Sequence, residues 1–227
     1  MSQQLPMFPL NTVLFPGMRM PLNVFEKRYR ALVRHLLTEE MPRNRLLGTV
    51  AIRAGYEVGE HGAQAVHTTG VVLQMTECAP HADGGFEIEV LARQRMHLLE
   101  MGTSDGSPGF PQGEVELLED DEPDLADADD QARRALETFE TYRGRLAELR
   151  GEILRSGSFG SDPSFLSYAL SATALLPLHQ RQQLLEADSA ADRLRQLRHF
   201  LNDEMRAMRA LPSLPATEIS RSGWSPN

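Results

Sequence analysis

Apolar positions along the chain follow two periods, and the changes between them divide the sequence. Residues 5–22 hold a dense set of large apolar side chains interrupted by Pro6, Pro9, Pro16 and Pro21. Each proline removes a backbone donor and biases the residue before it toward extended geometry, so this stretch predicts extended segments with a turn at Phe15-Pro16-Gly17. The period then becomes helical. Phe25, Tyr29, Leu32, Val33, Leu36 and Leu37 form one stripe at helical spacing that ends before Pro42. Asn23, with Glu26 three positions on, has the spacing of a capping box at its start.

From Arg45 to Leu118 the period is close to two. Leu47, Thr49 and Ala51 alternate with Gly48, Val50 and Ile52; Val71, Leu73 and Met75 follow, then Phe86, Ile88, Val90 and Ala92. Asp83-Gly84-Gly85 between two such runs predicts a hairpin whose loop is longer than two residues. Further strands are expected at 96–101 and 114–118. Short strands with one helix suggest a small, closed or nearly closed β-barrel.

Between Glu119 and Asp130 eight of twelve residues are acidic, a run expected to stay solvated and to serve as a linker. Beyond it Ala132, Leu136, Phe139, Tyr142, Leu146, Leu149 and Ile153 recur every three or four residues, which predicts a long helix. Asp162-Pro163 starts a second helix that should end near Leu176, before Pro177. A third is expected over 179–186. Asp188 or Ser189 opens a fourth, carrying Leu194, Leu197, Phe200, Leu201, Met205 and Met208, and the four should form a bundle. The organisation read from this is α+β: a β-barrel unit with one packed helix over 1–120, a helical bundle over 121–211, and a disordered Pro- and Ser-rich tail over 212–227 that carries the only tryptophan, Trp224.

Composition narrows the function. The chain has 227 residues, 41% of them hydrophobic and 24% charged, within the range of ordinary globular proteins. A formal net charge of −9 argues against general affinity for phosphate backbones, so nucleic acid is not expected as a partner. Cys78 is the single cysteine, which precludes an internal disulfide. No apolar run approaches the roughly 20 residues that span a bilayer. A cytoplasmic location without membrane contact is therefore expected.

Chemical motifs are scarce. Lys27 is the only lysine and lies between Glu26 and Arg28 inside the first helical pattern, so no phosphate-binding loop ending in Lys-Ser or Lys-Thr exists. Cys78 and His81 have a two-ligand spacing but no second pair to complete a zinc site. His61 and His67 fall in a Gly-containing stretch expected to be a loop and define one alternative, a hydrolase built on loop histidines. No G-x-S-x-G turn is present; Gly157-Ser158-Phe159-Gly160-Ser161 reads as a link between helices. No catalytic residue, metal ligand or cofactor is assigned. The apolar N-terminal stretch remains. Most of it would close the barrel and seat the helix, while a minority, with Met18 and Met20 flanking Arg19, could form an adaptable apolar lip.

The run LPMFPLNTVLFPGMRMPLNVFEKRY, from Leu5 to Tyr29, resembles the opening of the Lon protease N-terminal domain, especially its free-standing version, in which the segment ends V-F-E-x-R-Y. Asp83-Gly84-Gly85-Phe86 through Arg95-Met96 resembles the hairpin and following strand of that family, with its usual G-x-x-R-F weakened here to Ala92-Arg93-Gln94-Arg95-Met96. Pro177-Leu178, the run from Gln182 to Glu186, and Arg193-Leu194 resemble its helical part. The resemblance implies a PUA-like pseudo-barrel followed by a four-helix bundle. It also implies a non-catalytic recognition or adaptor role toward exposed apolar or unfolded polypeptide segments, with a protease or ATPase as a further partner. Phe15, Met18, Met20 and Phe25 are the expected peptide contacts, in a monomer or weak homodimer. A scaffolding subunit docked to one fixed partner is the other reading.

Overall fold

The computed structural model describes residues 2–55, 63–105, 109–120, 125–150 and 159–210. Their contacts cluster into two units, Met1–Glu119 and Asp120–Asn227. Among the described residues the architecture is mixed α/β, with one antiparallel sheet in the first unit and five α-helices, of which four lie in the second.

The first unit runs β1 (Ser2–Pro6), β2 (Arg19–Val24), α1 (Lys27–Leu36), a 3₁₀ turn at Pro42–Asn44, β3 (Leu46–Gly55), β4 (Ala63–Pro80), β5 (Phe86–Thr103) and β6 (Pro111–Leu117). The strands lie in the order β1-β6-β5-β4-β3, and β2 pairs with β5 beside this path. Where separate short strands were expected, β5 is one strand of 18 residues. Val72 faces Gln94 and Leu73 faces Ala92, so Arg93 is an extra residue absorbed as a bulge. A bulge bends a strand without ending it, and the polar run 93–95 therefore does not break the pairing.

The hairpin between β4 and β5 forms at the expected place. His81 donates to the Gly85 carbonyl at 2.9 Å, and the Asp83 side chain accepts from the Gly85 amide at 2.9 Å. The chain after β1 joins distant strands: Met7 donates to the Pro111 carbonyl, and the next residue, Phe8, donates to the Gly48 carbonyl, both at 2.8 Å. Met7 and Leu10 also form parallel bridges with Gly48 and Ala51. One short segment thus holds both ends of the path from β6 to β3. The interior is apolar, with Leu5, Met7, Val50, Val72, Met96, Leu98 and Val115 in one buried cluster. Gly70 is required by close approach: a Cβ there would lie 2.0 Å from the Thr49 carbonyl oxygen.

The capping box at Asn23 does not form. Asn23 belongs to β2, and Glu26 occupies the cap position of α1 without a side-chain cap bond. Pairing of β2 with β5 continues to Val24, which leaves no room for an earlier helix start. Tyr29, Leu32, Val33 and Leu36 of the expected stripe are buried, while Phe25 and Leu37 are not.

The second unit contains α2 (Leu125–Arg150), α3 (Pro163–Thr173), α4 (Leu178–Glu186) and α5 (Ala190–Ala210). Buried Ala132, Phe139, Tyr142 and Leu146 on α2, and Leu194, Leu197, Leu201, Met205 and Met208 on α5, follow the expected pattern. Leu136 is half-buried, Leu149 is exposed, and Ile153 and the expected tail lie outside the described residues. Asp162 caps α3 by accepting from the Phe165 amide at 2.7 Å. The helix stops at Thr173, short of the expected end, and Arg181 donates to the carbonyls of Ser171, Ala172 and Ala174 at 3.3–3.5 Å. Those are the orphan acceptors of a helix end, so a cation there also suits the dipole. Burial pushes the Tyr142 hydroxyl up to about 12, and it accepts from the Leu175 amide at 3.3 Å.

The acidic stretch is not uniformly solvated. Asp120 accepts from Arg193 at 2.9 and 3.2 Å and from the Tyr168 hydroxyl at 2.8 Å. Arg193 is completely buried and also donates to Ser167 Oγ and to the carbonyls of Leu184 and Ala187. Its guanidinium lies 4.0 Å from the Tyr168 ring centroid. A charge this deep persists only when paired and hydrogen-bonded throughout.

Candidate functional site

The segment singled out by sequence enters β2 through a tight turn. Met18 donates to the Phe15 carbonyl at 3.0 Å, and Gly17 sits at φ +90°, open to glycine and strained for other residues. The Phe15 amide in turn donates to Met18 Sδ at 3.2 Å. This turn sends the Phe15 ring inward, where it is wholly enclosed. Phe15 is therefore a core residue, and the expectation that it contacts a peptide is corrected: its ring is the apolar anchor that holds the turn.

Along β2 the faces alternate. Leu22 and Val24 are buried and Met20 half-buried, while Arg19, Pro21 and Asn23 point to solvent. Arg19 pairs with Glu89 of β5 at 2.6 Å. Met18 is half-buried, and Phe25, just past the strand, is 46% exposed. Met20 and Phe25 are five strand-like positions apart, roughly 17 Å, so the expected contacts do not form one compact pocket.

A second set of apolar residues accompanies Phe25. Leu37, at the C-cap of α1, is 39% exposed, and Met41, before the 3₁₀ turn, is 53% exposed. Met41 carried one legible signal, an apolar residue outside the helical stripe and directly before a proline. From Phe25 to Leu37 the helix covers roughly 18 Å, the reach of five or six extended residues. Between these points α1 presents Lys27, Arg28, Arg30 and Arg34. The helix is fixed beneath them: Tyr29 stacks on Phe8 at 4.1 Å, Arg34 lies over the Phe86 ring at 5.9 Å, and Arg30 donates to the Asp83 carbonyl at 3.3 Å. Exposed apolar residues thus precede and follow, along the chain, a helix that carries the cations.

Reactive groups are placed elsewhere. Cys78 lies on β4 opposite Ile88, and burial pushes its thiol up, with Arg45 opposing. It is thus protonated and a weak nucleophile near neutral pH. His67 lies within β4, not in a loop, and His61 is outside the described residues. Among the described residues, no group of three or more His, Cys, Asp or Glu could hold a metal ion, and no helix is long and apolar enough to cross a membrane.

With this geometry established, the chain can be compared with known proteins. Residues 4–203 match the family described as the ATP-dependent protease La (LON) substrate-binding domain. The chain is 27% identical over 203 residues to Lon protease 2 of Herpetosiphon aurantiacus, covering 89% of this chain and 24% of that protein. It is 26% identical over 220 residues to Lon protease of Porphyromonas gingivalis, covering 94% of this chain and 25% of the relative. The chain thus spans about a quarter of the length of these relatives. In fold it is similar to a Lon N-terminal domain protein from Xanthomonas campestris, with TM-score 0.58 and 24% identity over 86% of this chain and 96% of the other. It is also similar to the N-terminal domain of Mycobacterium avium complex Lon protease, with TM-score 0.63 and 19% identity over 88% and 99% of the two chains.

Proposed function

Since the chain belongs to the LON substrate-binding domain family, we propose that it recognises other polypeptides through apolar side chains they expose, acting as an adaptor without catalysis of its own. The family match over residues 4–203 carries this reading. The exposed residues Phe25, Leu37 and Met41, with half-buried Met18 and Met20 earlier in the chain, would supply apolar surface. Methionine and phenylalanine suit a site that accepts varied sequences, because the first is flexible and the second contributes large apolar area. Burial contributes roughly 25 cal/mol per Å² before ordering costs, so affinity in the micromolar range follows for a short segment. The first unit serves as a PUA-like pseudo-barrel, a reading supported by the segment that joins β6 to β3, and the second as a four-helix bundle. A cytoplasmic place and a protease or ATPase as further partner belong to the same proposal.

The test is fluorescence anisotropy of a labelled, permanently unfolded polypeptide titrated with the purified protein. Saturable binding at micromolar concentration is expected, weakened roughly tenfold in Phe25→Ser/Met41→Ser with an unchanged melting temperature. Absence of saturation up to about a millimolar would sink the reading.

A further inference from the structure

The charges on α1 differ from those on the long helices of the second unit. On α2 and α5 five arginines are matched by acids three or four positions away: Arg133 and Arg134 by Asp130, Arg143 by Glu140, Arg195 by Asp192 and Arg206 by Asp203. Such pairs stabilise a helix locally and leave its surface nearly neutral. In α1 the sequence KRYRALVRHL contains no acid at all. Its one adjacent carboxylate, Glu26, is taken by Arg28 at 3.0 Å. Among the described residues, Lys27, Arg30, Arg34 and Arg43 have no ion pair with a carboxylate. Residues 27–45 hold six Lys or Arg (27, 28, 30, 34, 43 and 45) against two acids (39 and 40), a local balance of +4 within a chain of net charge −9.

Helix stability does not account for this placement. Lys27, Arg28 and Arg30 stand in the first turn, where cations oppose the helix dipole, and crowding like charges costs more than spacing them. Packing accounts for only part of it: Arg28 is half-buried against Glu26 and the Tyr29 ring and Arg30 is half-buried, while Lys27 and Arg34 are exposed. The charges lie between exposed Phe25 at one end and Leu37 with Met41 at the other. A ligand for such a strip needs large apolar groups a few residues apart and negative charge between or beside them.

We infer that α1 with its flanking apolar residues is a docking strip for extended polypeptide segments in which large apolar residues are interspersed with Asp or Glu. This deepens the recognition role proposed above and rests on it, adding a substrate class to it. Apolar burial supplies the holding energy, while charge complementarity selects among apolar segments and speeds encounter.

Three labelled peptides with the same Phe and Leu positions, differing only in Asp, Ser or Lys at the intervening positions, are titrated with the full chain by anisotropy. At low salt the Asp peptide is expected to bind roughly tenfold more tightly than the Ser peptide, and the Lys peptide more weakly than both. The preference should shrink in 0.5 M salt and in Lys27→Glu/Arg30→Glu. The single exposed change Lys27→Glu, checked by circular dichroism, gives a partial loss should the double variant fold poorly. Equal affinity for all three peptides, or a preference that survives both variants, overturns the inference and leaves the recognition role standing. Binding of none of the three removes that role, and the inference with it. A control peptide of Asp and Ser without apolar residues that binds as well as the Asp peptide also overturns it, since charge alone would then suffice.

Discussion

The two units use arginine to different extents in their interiors. In the second, Arg193 is wholly interior, with donors spent on a carboxylate, a hydroxyl and two carbonyls, and Arg181 closes the end of α3. In the first, the cluster in Met7, Val50, Val72, Met96 and Val115 is purely apolar, and the cations of α1 stand outside it. A small helical unit with short α3 and α4 gains definition from a polar network that only one arrangement satisfies. A sheet over interdigitated apolar side chains reaches the same definition chiefly by shape, and Arg95, its one buried arginine among the described residues, donates to the Glu119 carbonyl at 3.2 Å. Arginine thus fastens the interior of the second unit through a network and serves the first mostly outside its apolar core.

The sharpest way to break this comparison is to damage each interior on its own terms. Phe15→Ala removes an enclosed ring from the first unit and is expected to cost about 4 kcal/mol in chemical denaturation, with the sheet signal in circular dichroism lost at lower denaturant. Asp120→Ala leaves Arg193 buried without its carboxylate and should cost about 3 kcal/mol, read in the helical signal. If the loss appears instead below about 1 kcal/mol, the guanidinium finds water and the network is not an interior one. The smallest effect is expected at Arg19→Ala: its ion pair with Glu89 is solvent-exposed, and a change below about 0.5 kcal/mol in the melting analysis would place it with surface charges.

Much of the fold was legible because period and punctuation agreed. The buried residues of α1, the Asp83-Gly84-Gly85 hairpin, the Asp162-Pro163 start and the buried stripe of α5 all follow from apolar spacing reinforced by a turn or cap signal. What escaped were features set by tertiary pairing. The Asn23 capping box lost to β2, whose partner β5 is over sixty residues away. The continuity of β5 through Arg93 depends on a bulge that leaves no local mark. Arg193 stood out only in the Arg193-Leu194 resemblance, which carries no sign of burial, and Asp120 only as one acid among eight.

Which apolar residues reach the surface was half legible. The sequence singled out Phe25 by its place in a dense apolar run, and Phe25 is indeed exposed. The same density misled at Phe15, because apolar abundance cannot tell which side chain a turn directs inward. Leu37 and Met41 were missed as surface residues since helical spacing alone assigned the first to the core and gave no role to the second.

The registry of the first strand bears on how the molecule is made. Ser2 lies opposite Glu116 and Leu5 opposite Gly113, so β1 is synthesised more than a hundred residues before its partner strand. At roughly 5–20 residues per second the wait is many seconds, during which Leu5 lacks its partner strand and Met7 the Pro111 carbonyl. Nascent chains of this protein should therefore depend on chaperone cover until translation passes residue 117.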